Sequence, residues 1–313
     1  MSRAVPRVTA ATGCGGTGRE LARFGDLTEL DAVLLGPIGL PGGAGPRAGV
    51  TPTPSGLVYR PAPVLPVDRV VEELLPWAAA RSLSVVCAVR GSTIGAVIDT
   101  IKRMCRALDF HVVVGVEIDL TTPREHTRQV IAGLGTAEPA GPWSGDPQAC
   151  LKLLSSVREQ LPRDLLLQAK IGGECPDLVA TARAAVGGGA RGLVLDGSVP
   201  ALGVDQRLAG PAIAPVTLGR LGAVRAAVAA GRVPEVPLVA VGGIGDVRAA
   251  QQALAAGASG VQLGCGILTD PELLWRVHDD LARPDHVPRS GGADRPAVQS
   301  RESARSGGDH DEQ

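Results

Sequence analysis

Val236-Pro-Leu-Val-Ala-Val-Gly-Gly-Ile-Gly-Asp246, then Val247–Ala255, then Gly260-Val-Gln-Leu-Gly-Cys-Gly266 decide how this chain is read. Val236–Val241 and Gly260–Leu263 are short, continuous apolar runs, the pattern of strands covered on both faces. Val247–Ala255 has a helical pattern, so the three segments make one strand–helix–strand unit with parallel strands. The rhythm recurs toward the N-terminus. Strands are expected over Arg7–Ala11, Asp31–Leu35, Ser84–Val89, His111–Asp119, Leu165–Lys170 and Gly192–Asp196, and helices over Leu151–Gln160, Pro176–Ala185 and Thr217–Ala230. Eight strand candidates predict a single-domain α/β fold, a (β/α)8 TIM barrel over 1–282. A doubly wound open sheet is the competing arrangement.

Two Pro/Gly-rich excursions, Gly36–Pro66 and Leu120–Pro147, follow the second and fourth strands. In a barrel both emerge at the C-terminal face, where sites sit, and both are candidate lids. Residues 283–313 are rich in Ser, Gly, Arg and Asp without apolar periodicity, the composition of a disordered polar tail.

Composition narrows the function. Lys+Arg 31 against Asp+Glu 32 leaves no basic excess to face phosphates, so nucleic acid is not an expected partner. Leu34–Pro46, the longest uncharged N-terminal stretch, is broken by Gly and Pro and too short for a bilayer. Arg3 and Arg7 bracket Pro6 where a signal peptide would carry its apolar region, so a cytoplasmic protein with no membrane partner is expected. The six cysteines form no Cys-x-x-Cys pair, and the five histidines form no ligand grouping, so no metal site is expected.

The chemistry concentrates at strand ends. Strands seven and eight end in glycine turns, Val239-Ala-Val-Gly-Gly-Ile244 and Val261-Gln-Leu-Gly-Cys-Gly266. At these barrel positions, Gly242, Gly243, Gly264 and Cys265 would offer backbone N–H groups to a phosphate; two ordinary strand-ending turns are the plainer account. Lys170 closes the fifth strand, either as a cation against a cofactor or as a lysine reaching for solvent. Glu117 and Asp119 alternate onto one face at the end of the fourth strand, and Thr122 follows; Thr121 and Thr122 could equally just stabilise a Thr-Pro turn.

Together these segments resemble the dihydroorotate dehydrogenase family, FMN-dependent (β/α)8 barrels, over about nine-tenths of the chain. Ala11-Thr-Gly-Cys-Gly-Gly-Thr-Gly18 is similar to that family's flavin turn, which implies flavin contacts from Ala11, Thr12 and Gly13. Gly210-Pro-Ala-Ile-Ala-Pro215 is similar to its Ser-Gly-Pro-Ala-Ile-Lys-Pro segment, and Val241–Ile244 with Ala256–Gly264 to its phosphate-binding end. Lys170 stands where the family has the lysine that contacts the flavin ring.

The departures fall in the substrate pocket. The family's Asn-x-Ser-Cys-Pro-Asn reads Asp119-Leu-Thr-Thr-Pro-Arg124, which puts Thr122 at the position of the catalytic base. A hydroxyl there needs a neighbour such as Asp119, Glu125 or His126 to carry the proton onward. The family's Asn-rich loop reads Tyr59–Leu65, its Asn-Thr pair reads Gly197-Ser198, its lysine after the second strand is Gly36, and an asparagine of the third strand is Ala88. Tyr59, Asp119, Arg124 and Ser198 are therefore the expected substrate contacts, and Asp119 would set carboxylate against ring carbonyls. The resemblance implies an FMN oxidoreductase acting on a CH–CH bond beside a carbonyl, on a small molecule other than dihydroorotate. Its expected partner is a second copy or an electron-transfer protein. Authentic dihydroorotate oxidation with a rebuilt pocket, and a non-catalytic barrel serving as a partner subunit, are the alternatives.

Overall fold

The structure, a computed structural model, describes residues 4–41, 49–106, 111–124, 140–201 and 206–283. Eight parallel strands form the barrel: β1 Val8–Ala10, β2 Val33–Gly39, β3 Val85–Val89, β4 Val113–Asp119, β5 Leu166–Ile171, β6 Gly192–Asp196, β7 Leu238–Val241 and β8 Gly260–Leu263. Each pairs with its successor from β2 to β8, and β1 pairs with β8. Across the remaining seam, the Gly13 N–H beyond β1 donates to the Gly36 carbonyl of β2 at 3.1 Å. All eight expected strands are present, with ends shifted by a few residues.

Alternation along the strands makes two cores. Outward residues such as Leu35, Val85, Val116, Leu167, Leu195 and Val261 join the helices in one continuous apolar layer. Inward positions hold two small apolar clusters, one with Leu34, Val86 and Ala88, the other with Ala11, Val194, Val239 and Val241. The same inner face carries buried polar groups: Thr9, Glu117, Gln168, Lys170 and Gln262. Such groups cost free energy unless partnered; of the five, Lys170 borders a cavity at the barrel mouth, and Thr9, Gln168 and Gln262 border a separate small void.

The expected helices are found as Pro147–Gln160, Leu178–Gly187, Ala214–Ala229 and Val247–Ala255. The first begins earlier than its periodicity because Asp146 caps it, accepting from the Gln148 and Ala149 N–H groups, with Pro147 at the first position. Helical segments at 67–79, Ile94–Cys105 and Leu273–Ala282 were not anticipated. The stretch Pro211–Ala229 has the length and apolar character of a membrane span. Its Leu221, Val224 and Ala227 nevertheless pack into the outer core.

The first excursion folds into a hairpin, Gly49–Thr53 with Gly56–Arg60, extended by Arg207–Ala209 and Val199–Pro200 into a four-stranded antiparallel sheet. Two glycines permit this contact. A Cβ on Gly56 would lie 2.2 Å from the Ala209 carbonyl oxygen, and one on Gly210 would lie 2.7 Å from Gly56 Cα. Both have positive φ. From the second excursion, Pro123–Arg124 pairs with Ala140–Pro142. Glu125, His126 and the polar tail beyond residue 283 lie outside the described residues.

Candidate functional site

A cavity of about 500 Å³ opens where the C-terminal strand ends meet the antiparallel sheet. Its wall gathers Ala11, Thr12 and Gly13 after β1, Lys170 on β5, Gly210 after the strand Arg207–Ala209, Gly242 and Gly243 after β7, and Gly264 and Cys265 after β8. All the positions expected to hold a cofactor therefore border one space. Gly242 and Gly243 have φ of +107° and +76°, and a Cβ on Gly243 would lie 2.3 Å from the Ala214 nitrogen, so that turn is glycine for local packing as well. Gly264 differs: a Cβ there would meet only Ala11 Cβ and Cys14 Sγ, both at 3.7 Å.

Lys170 is buried, and its Nζ lies 3.4 Å from Asp196 Oδ2. This is not a lysine reaching for solvent. Burial alone would depress its pKa, but Asp196, Glu117 and Asp119 outweigh burial and raise it. Glu117 accepts from Thr12 Oγ1 and Gln262 Nε2, both at 2.6 Å, which ties the β1 turn to β4 and β8. Burial raises the Glu117 pKa against the pull of Lys170.

Asp119 does not face the cavity as a bare carboxylate. Its Oδ2 accepts from Arg90 Nε at 2.9 Å and Nη2 at 2.8 Å, while Oδ1 accepts from the Thr121 amide and hydroxyl at 3.0 and 2.6 Å. Burial would raise its pKa, but Arg90, Lys170 and Thr121 together hold it well below the usual carboxylate range. Asp119 lines the cavity as a carboxylate already paired with Arg90, whose guanidinium also donates to the Ala62 carbonyl at 3.1 Å and lines the cavity. Arg90 went unnoticed in the sequence. Strand alternation through Val86 and Ala88 was the available signal, since it places residue 90 on the inner face.

Two more expectations change. Thr121 lines the cavity and Thr122 does not; the Thr122 hydroxyl donates to the Asp119 carbonyl at 3.2 Å. Arg124 is also absent from the wall. It donates to Asp146 Oδ2 at 2.8 Å and lies over the Trp143 ring at 5.9 Å, fastening the short strand pair to the helix start.

Tyr59 and Ser198 do line it together. The Tyr59 hydroxyl donates to Ser198 Oγ at 3.5 Å, and Ser198 Oγ accepts from Arg207 Nε at 3.1 Å. Arg207 is paired with Glu174 and sits opposite Tyr59 in the sheet register. Burial, then the nearby Asp196, pushes the Tyr59 phenol up to about 12. No motif announced Arg207 or Glu174; they meet only because the sheet folds over the β5–β6 strand ends.

The replacements at Gly36 and Gly197 have steric reasons. A Cβ on Gly36 would stand 2.5 Å from the Ala88 carbonyl oxygen, and one on Gly197 would stand 2.1 Å from Thr217 Oγ1. Neither place accepts a side chain without rearrangement.

With a parallel barrel, a mouth cavity and a lysine at the end of β5 in place, comparison with known proteins is informative. A dihydroorotate dehydrogenase B (NAD(+)) catalytic subunit from Anoxybacillus flavithermus is 28% identical over 282 residues, covering 88% of this chain and 85% of that protein. This chain is related to the dihydroorotate dehydrogenase family. Subunits of the same name from a Geobacillus species and from Desulforudis audaxviator are 26% and 28% identical over 84% and 88% of the chain. No family model matches the sequence.

Proposed function

We propose that this dihydroorotate dehydrogenase relative is an FMN-dependent oxidoreductase acting on a carbon–carbon bond beside a carbonyl, in a compound other than dihydroorotate. The observation that carries the cofactor is the single cavity bordered by the β1 turn, Lys170 and both glycine turns. The residues fit the group. Gly264 leaves open space where a side chain would stand, and the glycine turns let backbone approach a phosphate. Lys170 would lie against the ring, where a fixed cation favours the negative charge of a reduced flavin. When bound, the flavin supplies hydride chemistry; the chain supplies orientation and charge.

The substrate reading rests on the polarity of the wall. Arg90, Arg207, Ser198 and Tyr59 present N–H and O–H donors, with Asp119 and Glu174 already occupied by the two arginines. A ligand rich in acceptors, a carbonyl or carboxylate compound, suits that wall. This reverses the polarity inferred from Asp119 alone. Dihydroorotate is itself rich in acceptors, and the names of the relatives favour it as a second reading. Against it stand the steric closure at Gly36 and Gly197 and the position of Thr122 outside the cavity wall. Relatives named as catalytic subunits also favour an electron-transfer partner protein over a second copy of this chain.

The test has two stages. The visible spectrum of the purified protein and the mass of any released cofactor come first, and a colourless protein that cannot be reconstituted with FMN refutes the proposal. Steady-state assays with dihydroorotate and a dye acceptor come second. Negligible turnover is expected; turnover near the usual enzyme range of about 1–10³ per second establishes the second reading instead.

A further inference from the structure

The cavity wall leaves one acid whose proton is not committed. Three of its cations are each tied to a carboxylate, Arg90 to Asp119, Lys170 to Asp196, and Arg207 to Glu174; the fourth, Arg60, is engaged as well. Cys14 and Cys265 stand by the Gly264 turn, where a phosphate is proposed. Thr122 is off the wall, with its hydroxyl bonded to a backbone carbonyl. Tyr59 remains. Its O–H reaches Ser198 Oγ at 3.5 Å, the outer limit of a hydrogen bond, so the proton is loosely held. Ser198 Oγ accepts from Arg207 at 3.1 Å, which leaves its own O–H free to turn and donate to a phenolate at Tyr59. Of the charges facing the phenol, Lys170 and Arg207 favour its ionised form, while Asp196 opposes it.

We propose that Tyr59 is the proton donor of this site, and that the site works in the reducing direction, on an alkene conjugated to a carbonyl. The inference rests on the flavin reading above. Reducing the double bond requires one hydride and one proton. A reduced flavin, when bound, would supply the hydride, to the carbon β to the carbonyl. The Tyr59 O–H bond breaks and a C–H bond forms at the α carbon; water, relayed through the Ser198 hydroxyl, returns the proton to the phenolate. A phenol pushed upward by burial stays protonated at neutral pH, which suits a donor and not a base.

Tyr59 is the single tyrosine of the chain, so tyrosinate absorbance of the holoenzyme reports this residue alone. The experiment compares the parent with Tyr59→Phe and Ser198→Ala. Flavin content is measured first: a parent without flavin sinks the cofactor reading itself, and loss of flavin from Tyr59→Phe alone makes Tyr59 a scaffold residue and overturns this proposal. Anaerobically reduced holoenzyme is then mixed with 2-cyclohexen-1-one and, separately, with orotate, and flavin reoxidation is followed. Reoxidation by at least one probe is expected, slowed about 100-fold or more in Tyr59→Phe, in the range of general acid catalysis. Binding of the same probe to oxidised holoenzyme should weaken far less than reoxidation slows, since a wall donor contributes to binding but the proton transfer is felt only in the reaction. Independently of turnover, Ser198→Ala should move the tyrosinate transition upward, because the phenolate loses a hydrogen-bond donor. Equal reoxidation rates in parent and Tyr59→Phe, no reoxidation by either probe, or an unmoved transition in Ser198→Ala each overturn the assignment.

Discussion

Replacing Lys170 with methionine removes the ammonium from a buried group of carboxylates and nearly preserves side-chain volume. Lys170 Nζ lies 3.4 Å from Asp196 Oδ2, with Glu117 and Asp119 close enough to raise its pKa. At that distance the pair is worth about 5 kcal/mol for an effective dielectric constant near 20. Breaking a buried pair typically costs about 3–5 kcal/mol, in agreement. Asp119 keeps Arg90, but Glu117 keeps only the neutral donors Thr12 and Gln262. For a chain of this size the loss should lower the melting temperature by about 5–8 °C. The pH dependence has a definite sign. Glu117 already has a raised folded-state pKa, and without Lys170 it rises further. Protonation then favours the folded state, so the deficit of Lys170→Met should shrink as pH falls from neutral toward about 5. In the parent, the Lys170 contribution is fully present below the ordinary lysine pKa and is lost as pH rises through its raised value. Thermal melts at several pH values give the comparison, and the double variant Lys170→Met/Asp196→Asn should recover part of the loss. Flavin reduction should slow far more than flavin binding weakens. A single variant that melts within about 2 °C of the parent at every pH refutes the argument, because it would mean the ion pair carries no stability.

Other outcomes follow from the same geometry. Gly264→Val should release flavin while disturbing the flavin-free fold less than Gly243→Ala does, since the nearest atoms to an added Cβ are 3.7 Å away at Gly264 but the Ala214 nitrogen is 2.3 Å away at Gly243. Cofactor retained after Gly264→Val would move the phosphate elsewhere. Asp119→Asn should cost about 3 kcal/mol, the low end for a buried pair because Arg90 is 20% exposed. The depressed Asp119 pKa contributes stability that is present above about pH 4 and lost as pH falls through its folded value, so chemical denaturation of the variant should show less acid dependence than that of the parent. Cys14 and Cys265, whose thiols burial pushes up to about 12 and about 11, should alkylate slowly at neutral pH although both border the cavity; rapid modification by mass analysis would contradict this.

The barrel was legible because parallel strands covered on both faces read as apolar runs, and Val236–Val241 or Gly192–Asp196 needed no partner to be recognised. The glycine turns could be located for a related reason: each is a short run of adjacent residues at a strand end. The antiparallel sheet was not, since Gly49–Thr53 and Gly56–Arg60 are short, Pro/Gly-bounded and only half covered. Helix Ile94–Cys105 did carry a signal, with Val97, Ile101 and Met104 at helical spacing and Thr93 as its cap.

The site residues divide along the same physical line. Positions at strand ends followed from one stretch of chain, whereas the distant partners that pair with Asp119 and Arg124 left no local signal. Asp119 looked like a free acceptor because the arginine that occupies it lies 29 residues earlier on another strand. Arg124 looked like a ligand contact because the aspartate that holds it begins a helix 22 residues later. In both cases a charge at a strand end found an opposite charge across the fold, as a buried charge must. The chemistry offered to a ligand is what remains after those pairings: the outer N–H groups of Arg90 and Arg207, the Ser198 hydroxyl, and the loosely held proton of Tyr59. A wall of donors selects ligands by their acceptors, so on the proposed reading substrate choice follows from which charges are already paired and not from which residues are charged.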